Sequence, residues 1–221
     1  MDWSFIQRFT PMYAQAAWLT LRMGVYGILL SMAVGALCCV ALHFRVPVLR
    51  QIARVYIELA RNTPLLVQLF FLYFGLPKIG IRFSSEACAI IGLTFLGGAY
   101  MAEAFRSGLE AVDKNQREAG ECIGLSPAQN LRYVIFPQAL ATAVPAVCAN
   151  VIFLIKETSV FSAVALADLM YVAKDLIGMY YKTDESLLML VAAYLVLLLP
   201  ISILFSWLER RLRYAGFGRA A

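Results

Sequence analysis

What most constrains this chain is a set of long runs without a single Asp, Glu, Lys or Arg. They are Met23–His43, Asn62–Pro77, Ala87–Ala102, Val134–Ile155 and Leu187–Leu208. A helix needs about 20 apolar residues, within a range of about 17–25, to cross the hydrocarbon core of a bilayer. The first, fourth and fifth runs meet that length outright. The second and third reach it with flanking residues, because Arg and Lys side chains snorkel to the interface. The expectation is an all-α integral membrane protein with five transmembrane helices, over about 16–43, 60–77, 86–106, 134–155 and 186–208. They form a single domain over 1–221, with one charged loop over 107–133.

Composition agrees: 62% of residues are hydrophobic and 15% charged, and the mean hydropathy is +0.74. A soluble domain of this length needs more polar surface. The net charge of +5 raises nucleic acid as a partner. However, the basic residues sit between apolar runs rather than in a stripe interleaved with stacking aromatics, which argues against it.

The distribution of basic residues sets an orientation, since cytoplasmic loops carry the excess of Lys and Arg. With the C-terminus inside, the inner segments hold Arg45, Arg50, Arg54, Arg61, Arg106, Lys114, Arg117, Arg132, Arg210, Arg211, Arg213 and Arg219. The outer segments hold Arg8, Lys78, Arg82, Lys156, Lys174 and Lys182, which is twelve against six. The N-terminus is therefore expected outside. Segment 158–181 is fairly apolar but carries Asp168, Lys174 and Asp175. Charges at bilayer depth cost about 2.5–3.5 kcal/mol each, so an outer-side or re-entrant element is expected there. The first residues, with Asp2 and a long following apolar run, are not expected to form a cleavable signal peptide.

Little in the chain suggests catalysis or metal binding. Cys38, Cys39, Cys88, Cys122 and Cys148 lack metal-ligand spacing, and the single histidine, His43, stands in no run of ligand-type residues along the sequence. No catalytic residue and no metal ligand is expected. Small residues instead suggest close helix packing: Gly27, Ser31 and Gly35 at i, i+4 and i+8, then Gly92, Gly97 and Gly98, and Ala139, Ala143, Ala146 and Ala149. Pro145 and Pro200 lie within spans and should kink them.

The charged loop carries local order. Glu118, Ala119, Cys122 and Ile123 form a short helical face. Gly124 offers a helix stop, and Ser126-Pro127 an N-cap and first helical residue. Two short helices meeting at a turn make either a docking knob or an ordinary surface hairpin. The pattern Glu118-Ala119-Gly120, Gly124 and Val134-x-Phe136-Pro137 closely resembles the EAA motif of bacterial ABC importer permeases, E-A-A-x3-G-x9-I-x-L-P, with Val134 for Ile and Phe136 for Leu keeping the apolar character. Gly120 departs from it, and a glycine there should loosen the helix by about 1 kcal/mol relative to Ala.

Three further segments narrow the resemblance to the polar amino-acid (histidine, glutamate and glutamine) permeases. Arg61-Asn62-Thr63-Pro64-Leu65-Leu66-Val67-Gln68 is similar to the start of that family's second span. Ala99-Tyr100-Met101-Ala102-Glu103, with Arg106 and Gly108, is similar to its third. Lys156-Glu157-Thr158-Ser159 is similar to the K-[DE]-T-S that follows its fourth.

The resemblance implies a type I ABC importer permease, multi-pass in the bacterial inner membrane. Its implied partners are a second permease subunit, identical or homologous, two ATP-binding subunits and a soluble substrate-binding protein. ATP and Mg would be held by the ATP-binding subunits, with no cofactor in this chain. The chain has no Walker A sequence: Gly75-Leu-Pro-Lys-Ile-Gly80 continues with Ile81-Arg82 rather than Lys-Ser/Thr. Energy would then enter through Glu118, Ala119, Gly120, Gly124, Leu125 and Pro137.

For an amino-acid substrate, Lys156 and Glu157 offer both charges and Thr158 and Ser159 two hydroxyls. Gln68 is a polar group within the second span, with a pathway or interhelical role. Glu103 and Arg106, one turn apart, are expected to form a local ion pair, with gating as the second reading. The rival class is an ATPase-independent secondary transporter or channel, which the lack of internal repeats disfavours.

Overall fold

A computed structural model describes residues 1–43 and 47–216, with the side chains of 212–216 excepted. Arg45 and Arg219, and the side chain of Arg213, fall outside the described set. Every element in that set is helical. Helix α1 covers Trp3–His43, α2 Pro47–Arg61 and α3 Leu65–Phe70, which runs on through a π turn, Phe71–Gly75, and a 3-10 turn, Leu76–Ile79. Helix α4 covers Ser85–Glu110, α5 Lys114–Cys122 and α6 Pro127–Asn130. A second π turn, Leu131–Ile135, joins α6 to α7, Phe136–Glu157. A 3-10 turn, Thr158–Val164, then leads to α8, Leu169–Tyr180, and α9, Thr183–Gly216.

Among the described residues, α1, α4, α9 and the segment containing α7 are long and apolar enough to cross a membrane. The second expected span differs from a straight rod. Helix α2 and the segment Leu65–Ile79 meet at a bend of 102°. Pro64 explains it, since it disfavours the α conformation of Thr63 and cannot continue the hydrogen-bond ladder. Arg50, Arg54 and Arg61, assigned above to an inner segment, lie in helix α2.

The bundle is built on α1 against α4, where small residues permit contact. A Cβ on Gly35 would lie 2.5 Å from the Cβ of Met101 and 2.8 Å from the backbone N of Ala102. Ser31, fully buried, donates to Gly27 O at 2.7 Å, with Leu93 O at 3.2 Å. Ala139 and Ala143 of α7 are buried, whereas Ala146 and Ala149 are exposed. At the other end of the bundle, α8 buries Leu169, Val172, Ala173 and Leu176 against Phe5, Tyr13 and Ala16 of α1 and Met189 and Leu190 of α9. With 12 residues, α8 is too short to cross a bilayer.

Candidate functional site

Two places concentrate polar chemistry. The first is the bend between α2 and α3. Gln68 holds it: its Nε2 donates to Thr63 O at 3.0 Å and to Ala60 O at 3.3 Å, satisfying carbonyls left open where α2 stops. That amide is engaged within its own segment and does not line the neighbouring cavity.

The cavity has a volume of about 360 Å³. Its walls are Arg61, Asn62, Thr63, Pro64, Leu65 and Leu66 of the bend, Leu96 and Tyr100 of α4, Phe153 and Glu157 of α7, and Val160. The rings of Tyr100 and Phe153 lie 5.2 Å apart, and the Arg61 guanidinium sits 5.6 Å from the Tyr100 ring centroid. Asn150 donates to Tyr100 O at 3.1 Å, so α4 and α7 are level here.

Of the four residues at the end of α7, the structure brings only Glu157 to the cavity wall. Lys156 is exposed and does not line it. Thr158 is buried and donates to Ile155 O at 2.6 Å, while Ser159 is half-buried and its carbonyl accepts from Ser162. Arg61 through Leu66, Tyr100 and Phe153 are wall residues that charge arguments alone overlook. Their signal was present in the R-N-T-P segment, but its convergence on Glu157 is a tertiary fact.

Glu103 and Arg106 lie next to this cavity. Arg106 donates to Glu103 through Nη2 at 2.7 Å and Nε at 3.3 Å, and to Glu110 at 2.6 Å. Arg61 Nη1 reaches Glu103 Oε2 at 3.7 Å, so one carboxylate ties the end of α2 to α4.

Helix α2 has three faces. Ala53, Ile57 and Ala60 are buried, the last two against Ala99 and Ala102 of α4. Val48, Ile52, Val55 and Leu59 form an exposed apolar face. Arg54, Glu58 and Arg61 are exposed on the third, with Arg50 half-buried beside them. Ala99 and Ala102 lie in the C-terminal half of α4, so α2 packs beside that half of an apolar span with its charged face turned away from it. Charges there avoid lipid, because each costs several kcal/mol in hydrocarbon. This face and the cavity it meets at Arg61 therefore suit a water-filled path or a partner subunit.

The second place is the pair α5–α6. Asp113 caps α5, accepting from Asn115 N at 2.8 Å, and Gly124 turns the chain at φ 84. Ser126 and Gln129 form a reciprocal capping box at the start of α6. Gly120 is the one buried residue of α5. A Cβ there would lie 2.5 Å from Asn130 Oδ1. Asn130 is itself buried, and its Nδ2 donates to Arg117 O at 2.8 Å. The glycine thus seats an asparagine that fastens the two helices, and loosening is not its main consequence.

Glu118 pairs with Lys114 at 2.9 Å on an open surface, Leu125 is half-buried and Pro137 is exposed. Ala119, Cys122 and Ile123 are exposed, Ile123 to 77%, so their apolar face is free for a partner.

Comparison with known proteins fits this arrangement. Residues 11–214 match the family model described as the binding-protein-dependent transport system inner membrane component. The chain belongs to that family. The glutamine transport system permease protein GlnP of Escherichia coli is 33% identical to this chain over 214 residues, 96% of this chain and 98% of that protein. The probable amino-acid permease protein YxeN of Bacillus subtilis is 34% identical, covering 95% of each. A crystal structure of an amino acid ABC transporter with histidines superposes with a TM-score of 0.90 at 31% identity, covering 96% of this chain and 99% of that one. An inward-facing MetNI methionine ABC transporter, at 21% identity and a TM-score of 0.73, shares the fold. The described residues contain no group of three or more His, Cys, Asp or Glu placed to hold a metal ion.

Proposed function

We propose that this chain is the transmembrane permease subunit of an ATP-driven importer that carries a polar amino acid across a bacterial inner membrane. The supporting observation is one scaffold holding a charged cavity between α4, α7 and the bend after α2, and an exposed apolar knob at the end of the bundle. The family assignment and the names of its relatives point the same way. A second permease, two ATP-binding subunits and a substrate-binding protein complete the assembly, and the knob faces the cytoplasm.

Arg61 and Glu157 present opposite charges across the cavity, complementary to a carboxylate and an ammonium. Tyr100 and Phe153 supply an apolar wall for the side chain. The charged face of α2 continues from Arg61 toward the coupling end and provides a wet exit. Docking of an ATPase on Ala119, Cys122 and Ile123 moves the α5–α6 pair, and α6 passes that motion directly into α7. The bundle then alternates its access by rigid-body rearrangement.

Reconstitution with the ATP-binding and substrate-binding subunits tests the proposal. Glu118→Lys and Gly124→Leu should insert normally, keep basal ATP hydrolysis and lose coupled uptake. Leucine at φ 84 costs about 1–2 kcal/mol in the turn itself. Undiminished uptake in both variants would refute the role of the knob.

A further inference from the structure

A second hollow, of about 580 Å³, lies at the coupling end of the bundle. Its walls include Val40 and His43 of α1, Phe105 and Leu109 of α4, Leu140 of α7, and Arg132 of the π turn. At 3.6 residues per turn, Phe105 and Leu109 point about 180° away from Leu96 and Tyr100 around α4. The hollow is therefore on the opposite face of α4 from the charged cavity.

We propose that this groove seats an acyl chain of an anionic phospholipid, whose phosphate is held by Arg132. The walls are almost entirely hydrocarbon, and Val40 and Leu140 on its lip are exposed. An apolar hollow open at tail depth loses dispersion contacts unless a chain fills it, and its volume falls in the range of about 300–1,000 Å³ usual for ligand sites. The charge at its end gives the headgroup. The Arg132 guanidinium lies 5.8 Å from the centroid of the Tyr133 ring and makes no ion pair or hydrogen bond with any described residue. His43 ends α1 at the same level. A guanidinium at the end of a transmembrane groove attracts anionic lipid. That a lipid covers the groove rests on the proposed function, which puts the wet path along the charged cavity on the other face of α4.

The bound lipid would touch both the π turn after α6 and the end of α1. It would thus brace the coupling element against the bundle, making lipid composition a determinant of coupling.

The full chain, alone and in its transporter assembly, is placed in nanodiscs of phosphatidylcholine with or without phosphatidylglycerol carrying a photoreactive acyl chain. Crosslinks are expected on residues 36–43 and 136–143, with phosphatidylglycerol favoured. Arg132→Gln should reduce that preference about fivefold while phosphatidylcholine still labels the groove. Leu140→Trp and, separately, Val40→Trp should abolish labelling by both lipids. Unchanged labelling in both tryptophan variants, or an unchanged preference in Arg132→Gln, would overturn the proposal. So would a disulfide between copies formed by Val40→Cys with Leu140→Cys, which would show that a second copy fills the groove. None of these readouts depends on uptake, so failure of the transport function would be seen separately.

Discussion

Replacing Gly120 by the alanine usual in the EAA motif should weaken the knob rather than strengthen it. On helix propensity alone, Gly120→Ala stabilises α5 by about 1 kcal/mol. The new Cβ, however, would sit 2.5 Å from Asn130 Oδ1 and 2.8 Å from its Cγ. Asn130 is only 2% exposed, so its amide has nowhere to swing. Displacing it breaks the bond to Arg117 O and strands a buried donor, a cost of about 1–3 kcal/mol. The single variant should therefore be destabilised by up to about 2 kcal/mol, net of the propensity gain.

With Asn130→Ala already in place, the same Gly120→Ala change should stabilise by about 1 kcal/mol. The coupling between the two positions is then about 1–3 kcal/mol, measurable in a double-mutant cycle. Hydrogen exchange of the α5 amides in the full chain is the assay. A coupling of 2 kcal/mol appears as roughly a 30-fold non-additivity in protection, at about 1.4 kcal/mol per tenfold. Equal slowing of exchange by Gly120→Ala in both backgrounds would show that Gly120 and Asn130 are independent, and the packing explanation would fail.

Four other outcomes can be checked. Glu157→Gln should weaken substrate stimulation of the assembled transporter by about 10–100-fold, from loss of a charge-assisted bond, whereas exposed Lys156→Ala should leave it nearly unchanged; equal effects would remove Glu157 from the proposed site. Gly35→Val should destabilise the detergent-solubilised chain by at least about 1–3 kcal/mol, because α1 must move off the α4 backbone; an unchanged unfolding midpoint would contradict the close contact. Gln68→Leu should free the carbonyls of Ala60 and Thr63 and speed exchange of the α3 amides, and undisturbed protection would show the bend holds without it. Burial pushes the fully buried Asp168 carboxyl up to about 6, despite its bond from Tyr171 N and the nearby charge of Lys174. The folded chain then keeps a proton that the unfolded chain releases from about pH 4. Stability from this group should fall as pH rises from about 4 to 6, by up to about 3 kcal/mol, and level off above; Asp168→Asn should flatten that slope.

Much of the scaffold was legible before any coordinates. α1, α4, α7 and α9 follow from runs of apolar residues, and Gly27, Ser31 and Gly35 correctly marked the seam between α1 and α4. Span two was less legible because its charges recur along one face of a helix that also has two apolar faces. Arg50, Arg54, Glu58 and Arg61 then look like loop residues, although Pro64 marked where that helix had to stop. The cavity was harder still. Arg61 and Glu157 belong to different spans, and nothing in local spacing says that a sharp bend will set one against the other. Gly120 read as a flaw in its helix because its reason, Asn130, lies across the turn.

The unbroken run of α6, π turn and α7 has a geometric consequence. Residues 127–157 make one continuous helical path, about 46 Å along its axis at 1.5 Å per residue, with the knob at one end and Glu157 at the other. Along such a path the angular phase of Glu157 is fixed by how many residues separate it from the knob. The π turn is the place where that count departs from the regular α ladder. Deleting one residue there, or adding one, would rotate Glu157 by about 100° relative to α5 without altering either end's local structure. A tilt delivered at the knob would still arrive, but it would move a different side chain into the cavity. Timing between the two ends of this protein is therefore written as a residue count.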